Sequence, residues 1–303
     1  MLLFIARLIN ALPLSWAMFL GGQLGRFWHD MAPIRRKVAR DNIQLALGDE
    51  LSLKEQKRII RRAFLHFGMS FMEELRMPWW SRELSEKLVK REGWDNFENA
   101  LIKGRGVIIA ALHIGSFDLL GASMGARGVR IAGVFKDIKS KTAGSFVSES
   151  RKQSGVEIIP PRKSKEQIVE MLSEGYTIGF AYDQHMAHYR GIVCDFFGCP
   201  ASTTPAPARF AFLTGAAIMP TLFIRDEKHG YHIIRFEEEM ILETPYEKLD
   251  DNIRHNTERL NRIAERWIRS YPDQYFWVHK RWKVMQHPEE FEIPAHLQDK
   301  VLN

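Results

Sequence analysis

Apolar and polar positions change rhythm twice along the chain. The first 25 residues, MLLFIARLINALPLSWAMFLGGQLG, are apolar apart from Arg7, Asn10, Ser15 and Gln23. A cation at Arg7 and a central Pro13 weaken a spanning helix. A cleaved leader fits poorly, since no positive charge precedes the apolar run and no small-residue site follows it. The pattern predicts a helix or helical hairpin over residues 1–30 lying in a membrane interface. RFWHD (26–30) and PIRRKVAR (33–40) would then face anionic headgroups. The competing expectation is a buried N-terminal core helix.

From residue 31 to about 100 the rhythm is helical. Ser52 and Glu55 form a capping box ahead of KRIIRRAFLHFGMSFMEEL. Ile60, Ala63, Phe64, Phe67 and Phe71 then recur at the spacing of one helix face, and Pro78 closes the segment. Beyond residue 105 the period shortens. GVIIAAL (106–112), RIAGVF (130–135), VEIIP (156–160), YTIGFAY (176–182), AIMPTLF (217–223) and YHIIRF (231–236) read as strands, with helix-length segments between the first five. One of those segments opens on a second capping box, Ser164 to Gln167. This alternation predicts an α/β fold, a mostly parallel central sheet flanked by helices. YHIIRF follows a short DEKHG turn and pairs antiparallel. A last helix over 250–270 turns Leu260, Ile263, Ala264, Trp267 and Ile268 inward. Arg259, Arg262, Arg266 and Arg269 form a solvated stripe with partners in Glu258 and Glu265. The expected organisation is therefore an interfacial segment, 1–30, and one α/β domain, 31–303. That domain is helical over 31–100, holds the sheet over 105–240, and ends in a helix and a basic-aromatic tail over 250–303.

Composition narrows the partners. With 45% apolar and 26% charged residues the 303-residue chain is ordinary globular protein, and Cys194 and Cys199 are too few for a disulfide framework. A formal charge of +6 and a pI near 9.3 favour anionic partners: nucleic acid, phospholipid headgroups or an acidic carrier.

Two candidate chemistries overlap in residues 107–125. His113 directly follows a strand, hence sits where ligands gather in an open α/β sheet. Ser116 is placed to N-cap the next helix, with Asp118 in its first turn. Across such a turn the carboxylate can reach the imidazole and fix its tautomer while it takes a proton from a hydroxyl. Taken alone, H-x-x-x-x-D is a weak signal and favours a satisfied core histidine with an acid complementing the helix dipole. The rival is GASMG (121–125), a G-x-S-x-G match that would make Ser123 the nucleophile of an esterase. An elbow needs a strand ending just before Gly121, whereas this strand ends near Leu112, so the context fails. His185 and His188, with Cys194 and Cys199, lack the spacing of a zinc site, and no metal or cofactor is expected.

Several blocks in order resemble one family: RRKVARDNIQLAL, HIGSFD, GVFKDIKSK, GYTIGFAYDQHM, FFGCPASTTPAPARFAFLTGAAIMP and YFWVHKRWK. The chain is similar over nearly its whole length to the late (lauroyl/myristoyl) lipid A biosynthesis acyltransferases of the lysophospholipid acyltransferase superfamily. That resemblance implies direct acyl transfer from an acyl thioester, on acyl carrier protein or coenzyme A, to a hydroxyl of a membrane-bound glycolipid. The enzyme would sit at the inner membrane with its site facing the cytoplasm, with no nucleic-acid partner. His113 would be the general base and Asp118 its orienting partner. Substrate would be bound by Gly115, Ser116, Phe117, Phe135, Lys136, Asp183, Gln184 and Arg209. The family usually carries Arg where this chain has Lys136, which keeps the charge and loses the bidentate fork. The motif's acid is often Glu in the late enzymes and is Asp118 here. The DQ pair 183–184 would shape the acceptor pocket, with a plain turn role for Asp183 equally open. Arg209 opens the next helix, toward an anionic substrate group or solvent. The closing FWVHKRWK fits an amphipathic headgroup-level surface or a packed anchor with snorkelling cations. A non-catalytic membrane-surface binder keeping the same fold is the remaining alternative.

Overall fold

A computed structural model describes residues 2–32, 34–135, 140–160 and 164–301. In chain order the helices are α1 (Leu2–Ala11), α2 (Leu14–Met31), α3 (Arg36–Leu47), α4 (Leu53–Arg76), α5 (Arg82–Leu88), α6 (Trp94–Ile102), α7 (Phe117–Gly125), α8 (Lys141–Gln153), α9 (Ser164–Ser173), α10 (Ala206–Thr214), α11 (Leu249–Ser270) and α12 (Ala295–Gln298). The strands are β1 (Val89–Glu92), β2 (Val107–Ala111), β3 (Ile131–Val134), β4 (Val156–Ile159), β5 (Thr177–Ala181), β6 (Ile192–Phe196), β7 (Cys199–Thr203), β8 (Ala217–Asp226) and β9 (Tyr231–Phe236).

Seven strands form one sheet in the order β1-β9-β8-β2-β5-β3-β4, parallel at every junction except the β8–β9 hairpin. β2 lies at its centre and is buried along its whole length. Its side chains divide by parity. Ile108 and Ala110 join the core on one face, and Val107, Ile109 and Ala111 join the core on the other. Both faces are covered, and an uninterrupted apolar run results. All six expected strands are present. Two features escaped the pattern: the edge strand β1, VKRE, whose polar composition hides it, and the separate β6–β7 hairpin.

The capping box at Ser52 and Glu55 forms as expected. α4 is the spine of the N-terminal half, and α2 lies against it through glycine. A Cβ on Gly25 would sit 2.1 Å from the Phe64 carbonyl, and one on Gly68 would sit 2.1 Å from the Gly21 carbonyl. Bare backbone is what lets these helices approach so closely. Among the described residues no helix is long and apolar enough to cross a membrane. The apolar N-terminal run is broken at Pro13 into α1 and α2. Each contributes inward and outward faces: Ala6, Ala17 and the glycines are buried, whereas Phe4, Leu8, Trp16, Phe19, Phe27 and Met31 are exposed.

The tail and the last long helix each resolve an expectation. Of the two readings of the 277–283 segment, the packed anchor holds and the surface band does not, for Trp277, Arg281 and Trp282 are all buried. The Arg281 guanidinium donates to the Ser202 carbonyl and the Thr203 hydroxyl, both at 2.6 Å, and lies over the Phe196 ring. Such donors offset the cost of burying the charge and tie the tail to β7. The arginine stripe of α11 bonds mainly across elements. Arg266 pairs with Glu237, Arg259 with Glu243 and Arg269 with Glu50, and Arg269–Glu265 is the one helical pair of those expected.

Candidate active site

Register brings the central pair together. Ala111 of β2 lies beside Ala181 of β5 in the parallel ladder. Two residues beyond each, at the same sheet edge, come His113 and Asp183. His113 Nδ1 donates to Asp183 Oδ1 at 2.8 Å, and the His113 backbone N–H donates to the same oxygen at 3.1 Å. The carboxylate is buried (2% exposed), while the imidazole keeps 17% of its side-chain surface. An anionic acceptor on Nδ1 places the ring proton there and leaves Nε2 as the free base. Nε2 has no hydrogen-bond partner among the described residues.

Burial pulls the His113 pKa down, but the charge of Asp183 and its hydrogen bond more than offset this, with a smaller contribution from Asp118. The net shift is upward from 6.5. Asp183 responds in the opposite sense. Desolvation would raise it, yet the charge and hydrogen bonds of His113 hold it below the ordinary carboxylate value.

The loop carrying His113 is pinned on all sides. The Phe276 N–H donates to the His113 carbonyl at 3.1 Å, the Gly115 N–H to the Gln274 carbonyl at 3.0 Å, and the Ser70 hydroxyl to the Gly115 carbonyl at 3.2 Å. Gly115 has φ of +59°, and a Cβ there would lie 2.4 Å from the Phe223 carbonyl, so both conformation and space require glycine. Ser116 stands at the N-cap position of α7 but makes no side-chain cap. Its hydroxyl turns instead to Glu73. Glu73 belongs to a buried cluster in which it accepts from His232 Nε2 at 2.8 Å and pairs with Arg225. Burial opposes the Glu73 charge, and Arg225 and His232 overcome it, holding the carboxyl well below its usual range.

A cleft of about 680 Å³, counting its open mouth, runs past His113. Its polar lining is His113, Ser116, Asp118, Ser70, Glu74 and Gln274, with Gly115 among them. Its apolar lining is an aromatic-rich trough of Trp28, Ala63, Phe64, Phe67, Phe71, Phe117, Phe276, Trp277 and Val278. Trp28 meets Phe64 and Phe67 edge-on with ring centroids 5.0 and 4.9 Å apart, while Phe117 packs edge-on against His113 at 4.7 Å.

The expected dyad takes a different form. Asp118 lines the same cleft as His113 but is hydrogen-bonded to Arg151, accepting from Nε at 3.1 Å and Nη2 at 2.7 Å. Arg151 rests on the Phe135 ring at 3.9 Å. The carboxylate that orients His113 is thus Asp183, and Asp118 acts on the ring through its charge. The expected turn or pocket-wall role of Asp183 gives way to this buried one. Gln184, next in the chain, is half-buried, and Arg209 is exposed on α10; neither lines the cleft. Lys136 lies outside the described residues. Ser123 sits within α7, 2% exposed, so no elbow presents it. Sequence reasoning passed over Arg151, Glu73 and Glu74. The adjacent acids in MEEL, on an otherwise apolar helix face, were the available signal.

A central, mostly parallel sheet thus holds at its C-terminal edge a carboxylate-bonded histidine beside a cleft with both polar and aromatic lining, an arrangement of an α/β enzyme. The profile of the bacterial lipid A biosynthesis acyltransferases matches residues 1–284, and the chain belongs to that family. It is accordingly an O-acyltransferase. It is 26% identical over 274 residues to the lipid A biosynthesis palmitoleoyltransferase of Escherichia coli K12, covering 90% of this chain and 87% of that protein. It is 23% identical over 279 residues to the lauroyltransferase of the same organism, covering 91% and 88%. A phosphatidylinositol mannoside acyltransferase of Mycobacterium tuberculosis CDC 1551 is 27% identical over 161 residues, 51% of each chain.

Proposed function

We propose that this acyltransferase moves a fatty acyl chain from an acyl thioester to a hydroxyl of a glycolipid such as a lipid A precursor. His113 Nε2 takes the hydroxyl proton as the oxygen attacks the thioester carbon, and Asp183 holds the tautomer and stabilises the imidazolium. A thioester is already activated, so no protein nucleophile is needed. The N-terminus of α7 turns partial positive charge toward the oxyanion. The acyl chain lies along the aromatic trough. What carries the reading is the 2.8 Å His113–Asp183 bond, with His113 lining the same cleft as that trough. The donor is acyl carrier protein or coenzyme A, and the basic charge of the chain suits the first and a phosphorylated acceptor alike.

The site works at the cytoplasmic face of the inner membrane. The exposed apolar side chains of α1 and α2, with Arg35, Arg36, Lys37 and Arg40 following them, support a helical pair lying in the headgroup region. The test is incubation of the purified protein with an acyl thioester and under-acylated lipid A, followed by mass spectrometry. Transfer adds one acyl mass, and His113→Ala removes the product while Ser123→Ala retains most of it. Equal product from wild type and His113→Ala overturns the assignment, and a protein that binds lipid without ever transferring a chain is a surface binder.

A further inference from the structure

α4 contributes six residues to the cleft, Ala63, Phe64, Phe67, Ser70, Phe71 and Glu74, which recur at the three- and four-residue spacing of one helix face. The first five are what a trough or a loop contact needs. Glu74 is different, a carboxyl facing the site from another wall than His113. It has no hydrogen-bond partner among the described residues, and the nearby Arg151 directs two donors to Asp118. Its neighbours along α4 are occupied elsewhere, Glu73 with Arg225 and His232, and Arg76 with the carbonyls of Ile9 and Leu12.

We propose that Glu74 is the acid of the reaction, protonating the thioester sulfur as it leaves. This rests on the acyl-transfer reading above. The hydroxyl oxygen bonds to the carbonyl carbon while His113 takes its proton. The tetrahedral oxyanion then re-forms the carbonyl, the C–S bond breaks, and the sulfur takes its electron pair together with the Glu74 proton. Ester and free thiol leave, and the imidazolium proton returns through solvent to the Glu74 carboxylate, restoring both groups. A base on one wall and an acid on another serve two bonds at one carbon without the imidazole having to swing between them.

The electrostatics agree. Burial disfavours the Glu74 anion and the Asp118 charge from α7 adds to this, against a partial offset by Arg151 from α8. The carboxyl is raised from 4.5 to about 7, and no other charged group among the described residues of α1, α2 or the 272–278 segment acts on it. A protonated acid near neutrality is matched to a departing thiolate whose ordinary pKa is about 8.5.

The test compares two donors, an acyl-coenzyme A with an alkyl thiol leaving group and the acyl thioester of 4-nitrothiophenol, whose thiolate leaves unprotonated. Under-acylated lipid A is the acceptor. Glu74→Gln should lower kcat with the alkyl donor on the order of 10²-fold and with the aryl donor by no more than about 3-fold. Wild-type enzyme should lose rate above about pH 7 with the alkyl donor and keep it with the aryl donor, a comparison that needs no variant. Equal losses with both donors, no loss with either, or the same alkaline limb for both overturns the role of Glu74. His113→Ala should inactivate with both donors. Its retention of activity would remove His113 as the base, and absence of transfer by wild type from either donor would sink the acyl-transfer reading itself, outcomes separate from those that test Glu74.

Discussion

An imidazole at the end of a strand has two torsions free to turn, and its usefulness as a base depends on what holds them. Here Asp183 does so twice, through the ring nitrogen and through the backbone of His113. Asp183→Asn should therefore cost more than the loss of one hydrogen bond. A neutral amide neither enforces the tautomer nor stabilises the imidazolium, and transfer should fall on the order of 10²- to 10⁴-fold. The sign of the accompanying pH effect follows from the same charge. Asp183 raises the His113 pKa, so its removal should shift the acidic limb of the rate profile to lower pH. A limb that stays in place in Asp183→Asn, measured on residual activity, contradicts this. Asp118→Asn acts on His113 only through charge, and should move that limb less than Asp183→Asn does.

At the scale of elements, the loop 113–116 and the α2–α4 crossing show the same device, backbone approaching backbone where a side chain would intervene. Gly68→Ala would place a methyl 2.1 Å from the Gly21 carbonyl, and the two helices would have to part. Overpacking of this kind costs about 1–3 kcal/mol. A melting temperature several degrees lower is expected, with reduced activity because Trp28 of α2 and Phe64 and Phe67 of α4 line the trough from the two sides of that crossing. An unchanged melting curve would show the crossing to be looser. The α1–α2 pair carries its own prediction. Phe4→Asp with Phe19→Asp should abolish co-flotation with vesicles containing anionic lipid while leaving the fold intact by circular dichroism, since both side chains are exposed. Flotation equal to wild type would remove α1 and α2 from the membrane contact.

The whole molecule titrates in a way that can be worked out from buried histidines. His66 and His279 are pulled from 6.5 to about 4, in both cases first by burial. Groups whose folded pKa is depressed contribute stability that is present above the unfolded value and lost as pH falls toward the folded one. For these two the loss runs from about pH 6.5 down to 4. Asp183 and Glu73, also depressed, extend the loss below the unfolded carboxylate range near pH 4. His113 and Glu74 run the other way, their contributions complete below about 6.5 and 4.5 and fading as pH rises through their raised pKa values. Between pH 7 and 4 the two depressed histidines, joined by half-buried His185, also lowered to about 4, outweigh them. The urea midpoint should fall over that range, by a stability change on the order of 1–3 kcal/mol. A flat midpoint from pH 7 to 4 would mean that these histidines are solvated.

How much of this was readable beforehand depends on the range of the interactions involved. Strands such as VIIAA, the capping box at Ser52 and the apolar face of α11 are set by side chains a few positions apart, and period alone located them. The same holds for His113 at a strand end and for the misplaced elbow at Ser123, which lies too far from its strand. β1 was lost because an edge strand owes its pairing to β9 and not to its own composition, VKRE. The carboxylate of the site was lost for a related reason. Asp118 is five residues from His113, and proximity along the chain favoured it. Asp183 is 70 residues away, and becomes a neighbour only when β2 and β5 lie parallel in a register that sets Ala111 beside Ala181. Arg151 captures Asp118 by the same kind of long-range placement, and burial behind it raises Glu74. The amino-acid sequence by itself determined most of the elements, the histidine at a strand end and the family, since these rest on local period and motif order. Tertiary structure decided which carboxylate bonds that histidine, because sheet register and burial act between segments that the chain keeps far apart.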